Sequence, residues 1–281
     1  MKFSLFIQMV VGFSLSMFAL NASAQNVRND VPSCASGIDR EYYQLPNERE
    51  LIILVDRTMA HSLSNDIKSS LFNDIERFIQ PGDTVQFIEF SSFAQDSYTR
   101  VVFKGQLDVP LTSDVRNNIK KSKLKAFDKC LGQQHGFMLA KLGQSFKASF
   151  EPQDKPTNTE LMGTLIDISK QVVTKSSAQR KVVVLISDML ENSDVTSFYS
   201  RNQTRVIDPT KEIGLVKQAN MFANFNGADV YVVGTGVIPG NDQYISAQKM
   251  AKLETFWSDY FKNSQAHLRG FGKPMLLSEI R

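Results

Sequence analysis

Four oxygen-bearing side chains stand where they could share a hard cation: Asp56, Thr58, Thr159 and Asp188. Asp56 closes the apolar run Leu51-Ile52-Ile53-Leu54-Val55, and Asp188 follows Val182-Val183-Val184-Leu185-Ile186-Ser187. Two carboxylates at one sheet edge repel each other unless they are separated, hydrogen-bonded or shared by a cation. Mg²⁺ and Mn²⁺ favour oxygen donors and retain several waters, so two acids with the hydroxyls of Thr58 and Thr159 suit either ion. The alternative without metal is that both acids hold loop amides and cap helices. A second chemistry for Asp56 is that of a phosphoesterase-like hydrolase, in which the carboxylate accepts the phosphoryl group. That reaction needs an acid two residues later for the leaving group, and Thr58 stands there instead, with His61 nearby.

Elements of two kinds must position these residues. The runs 51–55 and 181–187 are short, continuous and apolar, as in strands buried on both faces of a parallel sheet. Between 64 and 80, Ile67, Leu71, Ile75 and Phe78 recur at helical spacing, with Ser64 as cap and Pro81-Gly82-Asp83 as stop. Residues 85–90 read as a strand, and 98–103 as its antiparallel neighbour, because the connection is too short for a helical crossover. Further on, 159–173, 211–225 and 243–261 carry helical patterns, and 229–234 reads as a strand closed by Gly234-Thr235-Gly236. The segment 105–156 is less regular and suggests two helical stretches, 112–127 and 137–150. The whole predicts a three-layer α/β fold: a mostly parallel sheet with one antiparallel edge strand and helices on both faces. In such sheets ligands bind beyond the carboxyl ends of the strands, where Asp56 and Asp188 fall.

The order of these pieces resembles the von Willebrand factor type A domain, in the exported bacterial type. That family's metal-ion-dependent adhesion site has a D-x-[ST]-x-S loop after the first strand, a threonine from a later loop and an aspartate after the fourth strand. The matching residues are Asp56-Arg57-Thr58-Met59-Ala60, then Thr157-Asn158-Thr159, then Asp188. Residues 227–234 look like the next strand and 256–261 like the closing helix. The resemblance spans roughly 48–265, with an insertion at about 105–156. It implies a protein-binding module rather than an enzyme, in which a partner's carboxylate completes the coordination of Mg²⁺ or Mn²⁺. Ala60 departs from the pattern, since it stands where the family has a second ligand serine.

The rest of the sequence bounds the setting. Lys2, an apolar stretch from Leu5 to Leu20 and Ala22-Ser23-Ala24 form a secretory signal over 1–24. A polar leader, 25–47, follows, and 266–281 reads as a C-terminal tail. Export to the periplasm or medium makes Cys34 and Cys130 one candidate disulfide. No later segment is apolar enough to span a bilayer. With 32 Lys and Arg against 29 Asp and Glu, the charge of +3 gives no case for nucleic-acid binding. The lysines around 120–125 read as a solvated helix face. His61, His135 and His267 form no H-x-x-x-H pair, and no G-x-S-x-G, P-loop or G-x-G-x-x-G motif occurs in the mature chain. Phe198 and Tyr199, ten residues beyond Asp188, are candidates for a partner-binding rim. The expected partner is a protein of the cell envelope; the remaining alternative is a structural component of an envelope assembly.

Overall fold

The structure is a computed structural model that describes residues 28–91, 98–152, 160–201, 203–238 and 243–281. The signal sequence and Thr159 lie outside the described residues.

Strand β1 (Arg49–Asp56) is buried from its second residue to its last. Its alternation sorts two cores. Ile52 and Leu54 face one helical layer, and Leu51, Ile53 and Val55 face the other. Burying such an aliphatic side chain contributes about 1.5–3 kcal/mol, so the run is held from both faces. Ser64 caps α1 (Asn65–Phe78) through the Ile67 amide, and the helix presents Ile67, Leu71, Ile75 and Phe78 to the core. Gly82, at φ 92°, turns the chain into β2 (Thr84–Ser91), which pairs parallel with β1. Strand β3 (Tyr98–Gln106) returns antiparallel to β2, as the short connection requires.

The segment 105–156 is less broken than its sequence suggests. After the single turn α2 (Ser113–Arg116), one 29-residue helix, α3, runs from Lys121 to Ser149. Gly132 and Gly136 had weakened the helical signal between the two expected stretches. A Cβ at either would meet nothing within 4 Å, so both lie on the open side of the helix. The helix α4 (Leu161–Ile168) continues into a π turn (Ser169–Val173) and leads to β4 (Arg180–Ile186). A small hairpin follows, β5 (Tyr199–Ser200) with β6 (Gln203–Thr204). Asp208 and Pro209 open α5 (Pro209–Gln218), which ends seven residues before the expected 225. Strand β7 (Asp229–Val233), helix α6 (Ala247–Asn263) and strand β8 (His267–Phe271) complete the chain.

The main sheet has the order β3-β2-β1-β4-β7-β8, with β3 alone antiparallel. Helices α1 and α3 pack on one face, and α4 and α6 on the other. The expected C-terminal tail is therefore part of the sheet, because 266–281 contains β8. Its residues His267-Leu268-Arg269-Gly270-Phe271 are exposed or half-buried, as suits an edge strand, and no apolar run marked them.

The leader is also built in. The Asp30 amide donates to the Lys104 carbonyl at 2.7 Å, and the Asp30 carboxylate accepts from the Lys104 amide at 2.9 Å. The Arg28 guanidinium donates to the carbonyls of Val101 and Val102. These contacts cover the outer edge of β3, which would otherwise offer a template for unwanted pairing. Beyond them, Cys34 and Cys130 form a disulfide that ties the leader to α3. Around it the buried Asp108 accepts from the Cys34 amide (2.6 Å), the Tyr43 hydroxyl (2.8 Å) and Gln134 Nε2 (2.7 Å).

Candidate functional site

Parallel pairing of β1 with β4 sets Val55 beside Ile186, so the two chains leave the sheet together at Asp56 and Ser187-Asp188. From here β1 connects outward to β2 and β4 outward to β7. This is the switch point at which doubly wound sheets open a crevice. Sequence patterning located this edge without giving the strand order.

Asp56 is fully buried. Its Oδ1 accepts from the Thr58 amide at 3.0 Å and from the Thr58 hydroxyl at 2.6 Å. Its Oδ2 accepts from the Ser187 hydroxyl at 3.1 Å. Ser187 thus joins the site from the neighbouring strand, a role that alternation hid because the residue reads as the last of an apolar run. Asp188 is 5% exposed, and its Oδ1 accepts from the Leu190 amide at 2.9 Å. The loop after it is tightly held. Met189 adopts a positive φ of 62°, its carbonyl accepts from the Trp257 indole at 2.9 Å, and the Asp188 carbonyl accepts from the Gly236 amide at 2.9 Å. A buried methionine in that backbone region is uncommon and is fixed here by contacts on both sides.

The electrostatics follow from burial. Asp56 is pushed up to about 6 by desolvation, against the hydrogen bonds of Thr58 and Ser187. Asp188 is raised well above the ordinary carboxylate value by desolvation and then by the charge of Asp56. Among the described residues, no lysine or arginine forms an ion pair with either acid. The phenol of the half-buried Tyr199 is also raised, by burial first and then by the negative charge of Asp188 and Asp56. At the same end of the sheet, the buried hydroxyl of Thr235 has no hydrogen-bond partner among the described residues.

The expected residues thus divide. Asp56, Thr58 and Asp188 come together, joined by Ser187, while Thr159 lies outside the described residues. Phe198 is not a rim residue: it is 1% exposed and packs edge-on against Phe256 at 5.0 Å. Ala60 is fully buried with Met59 and Leu63 in the core on the α1 side, and brings no oxygen. For phosphoryl chemistry, Thr58 supplies no separate acid, since its hydroxyl donates to Asp56 itself. No group of three or more His, Cys, Asp and Glu is placed to hold a metal among the described residues. The oxygen donors at the switch point are instead two carboxylates and neighbouring hydroxyls, a set suited to a hard, partly hydrated cation rather than to zinc.

Fold and site together define a doubly wound α/β protein with a buried acidic pair at its switch point. No family model matches the chain, and no curated protein does. Among solved structures it is similar to an aerotolerance-related membrane protein from Bacteroides fragilis NCTC 9343 carrying multiple mutations to serines. That likeness has 14% identity and a TM-score of 0.36, over 80% of this chain and 92% of the other. It is similar to the conserved hypothetical protein BatB from Bacteroides thetaiotaomicron, with 15% identity and a TM-score of 0.31, over 78% and 88%. The pilus adhesin SpaC from Lactobacillus rhamnosus GG, in its open conformation, aligns with 12% identity and a TM-score of 0.37, over 76% of this chain and 27% of the adhesin.

Proposed function

We propose that this chain is an exported protein-binding module of the von Willebrand factor A type, which engages an envelope protein at its strand-end rim through a divalent cation. The observation that carries the reading is the pair Asp56 and Asp188, buried at a switch point with no basic side chain paired to it among the described residues. Two such carboxylates raise each other's proton affinity, and a hard cation would remove that repulsion. Asp56, Thr58, Thr159 and Asp188 would hold Mg²⁺ or Mn²⁺ directly or through water, with the Ser187 hydroxyl orienting Asp56. The bound ion would supply a positive charge that a partner's carboxylate can complete. A water takes the place that Ala60 leaves without an oxygen, which lowers affinity without removing the site. Tyr199, whose phenol feels the charge of both acids, would contribute to the rim.

Export rests on the signal pattern of residues 1–24 and agrees with a Cys34–Cys130 disulfide, a bond that persists in oxidising compartments. Among the described residues no helix is long and apolar enough to cross a membrane.

The test is thermal unfolding in the presence of chelator, Mg²⁺ or Mn²⁺. A ligand bound only to the folded state stabilises it by about 2.7 kcal/mol at a hundred times its Kd, so wild-type protein should melt several degrees higher with metal. Asp56→Asn and Asp188→Ala should lose that shift. An equal response in wild type and Asp188→Ala would refute the cation site. A pull-down from envelope extracts, with Asp56→Ala and chelator as controls, then separates cation-dependent capture from passive assembly.

A further inference from the structure

Beside the strand-end rim, an open groove of about 420 Å³ lies between α1 and the last turns of α3, within the volume range of ordinary ligand clefts. Its floor is aromatic. Phe146 stacks edge-on against Phe72 at 5.4 Å and lies against Phe150 at 4.5 Å. Gly143 faces the Phe72 ring, at a spacing where a Cβ would make an ordinary contact of 3.4 Å. The walls are polar, and they include the two lysines Lys68 and Lys147. Lys68 holds its ammonium 5.5 Å from the Phe150 ring centroid and reaches the His61 carbonyl at 3.5 Å. Neither lysine forms an ion pair among the described residues. Among the described residues, Glu151 is the one acid that lines the groove.

We infer that this groove is a second binding surface, which takes an extended acidic peptide segment of a partner protein with an aromatic or large aliphatic side chain between its carboxylates. The apolar side chain covers Phe72, Phe146 and Phe150, and the flanking carboxylates meet Lys68 and Lys147. Charge decides the occupant: a basic segment would meet two ammonium groups on the same aromatic floor. The groove is also anchored to the rim. The Arg57 guanidinium donates to the Ala148 carbonyl at 2.9 Å, and Lys68 holds the turn that contains His61, so the Asp56 loop and the groove share their supports. The inference does not depend on a cation at the strand ends.

Fluorescence anisotropy with the full chain tests it, using three fluorescein-labelled octapeptides: alternating Asp and Phe, alternating Lys and Phe, and alternating Asp and Ser. The Asp–Phe peptide should bind saturably, at least about tenfold more tightly than either control. Lys147→Glu, an exposed substitution, should weaken it about fivefold or more. Asn73→Trp, which fills the groove from an exposed position of α1, should abolish it while the melting temperature stays unchanged. Binding should persist with chelator and in Asp188→Asn, so failure of the cation site leaves this result distinguishable. Absence of saturable binding, equal binding of the Lys–Phe peptide, or unchanged binding in Asn73→Trp would overturn the inference. So would a dimer in sedimentation that Asn73→Trp dissolves, since a second copy would then be the occupant.

Discussion

At the amino-terminal edge of the sheet, Arg49 grips the buried Asp83 with two hydrogen bonds, at 2.8 and 2.5 Å, while its guanidinium lies 4.5 Å from the Phe78 ring centroid. Two strands away, Asp229 is clamped by Arg180 at 3.1 Å and Arg269 at 2.6 Å. At the carboxyl-terminal edge, the partners of Asp56 and Asp188 among the described residues are hydroxyls and amides. Burial works on both edges, but the outcomes differ. Burial pushes Asp229 up, and the hydrogen bonds and charges of Arg269 and Arg180 outweigh it and hold the acid below its ordinary value. For Asp56 and Asp188 nothing of that kind intervenes, and both are raised. Even Glu89, near the same edge on β2, is paired with Arg57 and Arg100. Arginines thus hold Asp83, Asp229 and Glu89, whereas this pair, like the buried Asp108, is held by hydroxyls and amides. What sets the switch point apart from the fastened edge is that its two acids lie side by side and raised.

The largest expected effect comes from breaking the fastening. Arg49→Met removes the partner of a buried carboxylate, which typically costs about 3–5 kcal/mol. Asp83 keeps the Gln80 amide at 2.7 Å, so a loss near the lower end, about 3 kcal/mol, is expected in urea unfolding. An unchanged midpoint would mean that the amino-terminal pair contributes nothing. The same class of change at the other edge should carry the opposite sign. Asp188→Asn keeps an acceptor for the Leu190 amide and removes the repulsion with Asp56. Metal-free protein should become more stable at pH 7, and an unchanged or lower urea midpoint would contradict the repulsion.

The pH dependence sharpens the contrast further. Asp56 titrates near 3.8 when unfolded and at about 6 when folded, so between those values the folded state binds more protons. Metal-free stability contributed by the pair is therefore full below about pH 4 and falls as pH rises through about 6, with Asp188 extending the decline upward. Asp229 acts in reverse: its contribution is present above the unfolded value of 3.8 and is lost on acidification through its lower folded value. Urea midpoints between pH 4.5 and 7.5 should fall for the wild type in chelator, and in Asp188→Asn the fall should end near pH 6, where Asp56 alone titrates. A wild-type profile that rises across this range would contradict the unneutralised pair.

The architecture was legible where burial is symmetric. Leu51–Val55 and Val182–Ile186 are apolar on both faces, and such runs announce parallel central strands; the short connection before Tyr98 likewise announced the antiparallel turnback. Legibility failed where exposure dilutes the pattern. Strand β8 is an edge strand whose alternating His267, Arg269 and Phe271 look like a tail. Helix α3 tolerates Gly132 and Gly136 because its open side needs no side chain there. At the site, Asp56, Thr58 and Asp188 were found by type and position, since a buried run that ends in an acid is unusual. Ser187 and Trp257 were missed in their roles because each acts through a neighbour. Ser187 hydrogen-bonds Asp56 across strands, and Trp257 holds the Met189 carbonyl from a helix seventy residues away in sequence. Phe198 was misplaced for a related reason. It packs in the core against Phe256 of α6, a contact that no local pattern announces.

The smallest expected effect tests the departure at position 60. Ala60 sits in a short 3₁₀ turn, fully buried beside Met59 and Leu63, so its methyl group serves the core. The resemblance assigns a ligand hydroxyl to that position. Ala60→Ser adds one oxygen without changing the turn, and the two roles predict different results. A hydroxyl that reaches the cation should replace one water and tighten Mn²⁺ binding by up to about tenfold, or about 1.4 kcal/mol. A hydroxyl left in the core should cost about 1–3 kcal/mol of metal-free stability with no gain in affinity. Calorimetric titration with Mn²⁺ reads the first quantity and urea unfolding in chelator the second. We expect tighter binding with a small loss of metal-free stability, and Asp56→Asn in the Ala60→Ser background should erase the gain. A loss of stability alone would place residue 60 in the fastening and leave the acidic pair to act without it.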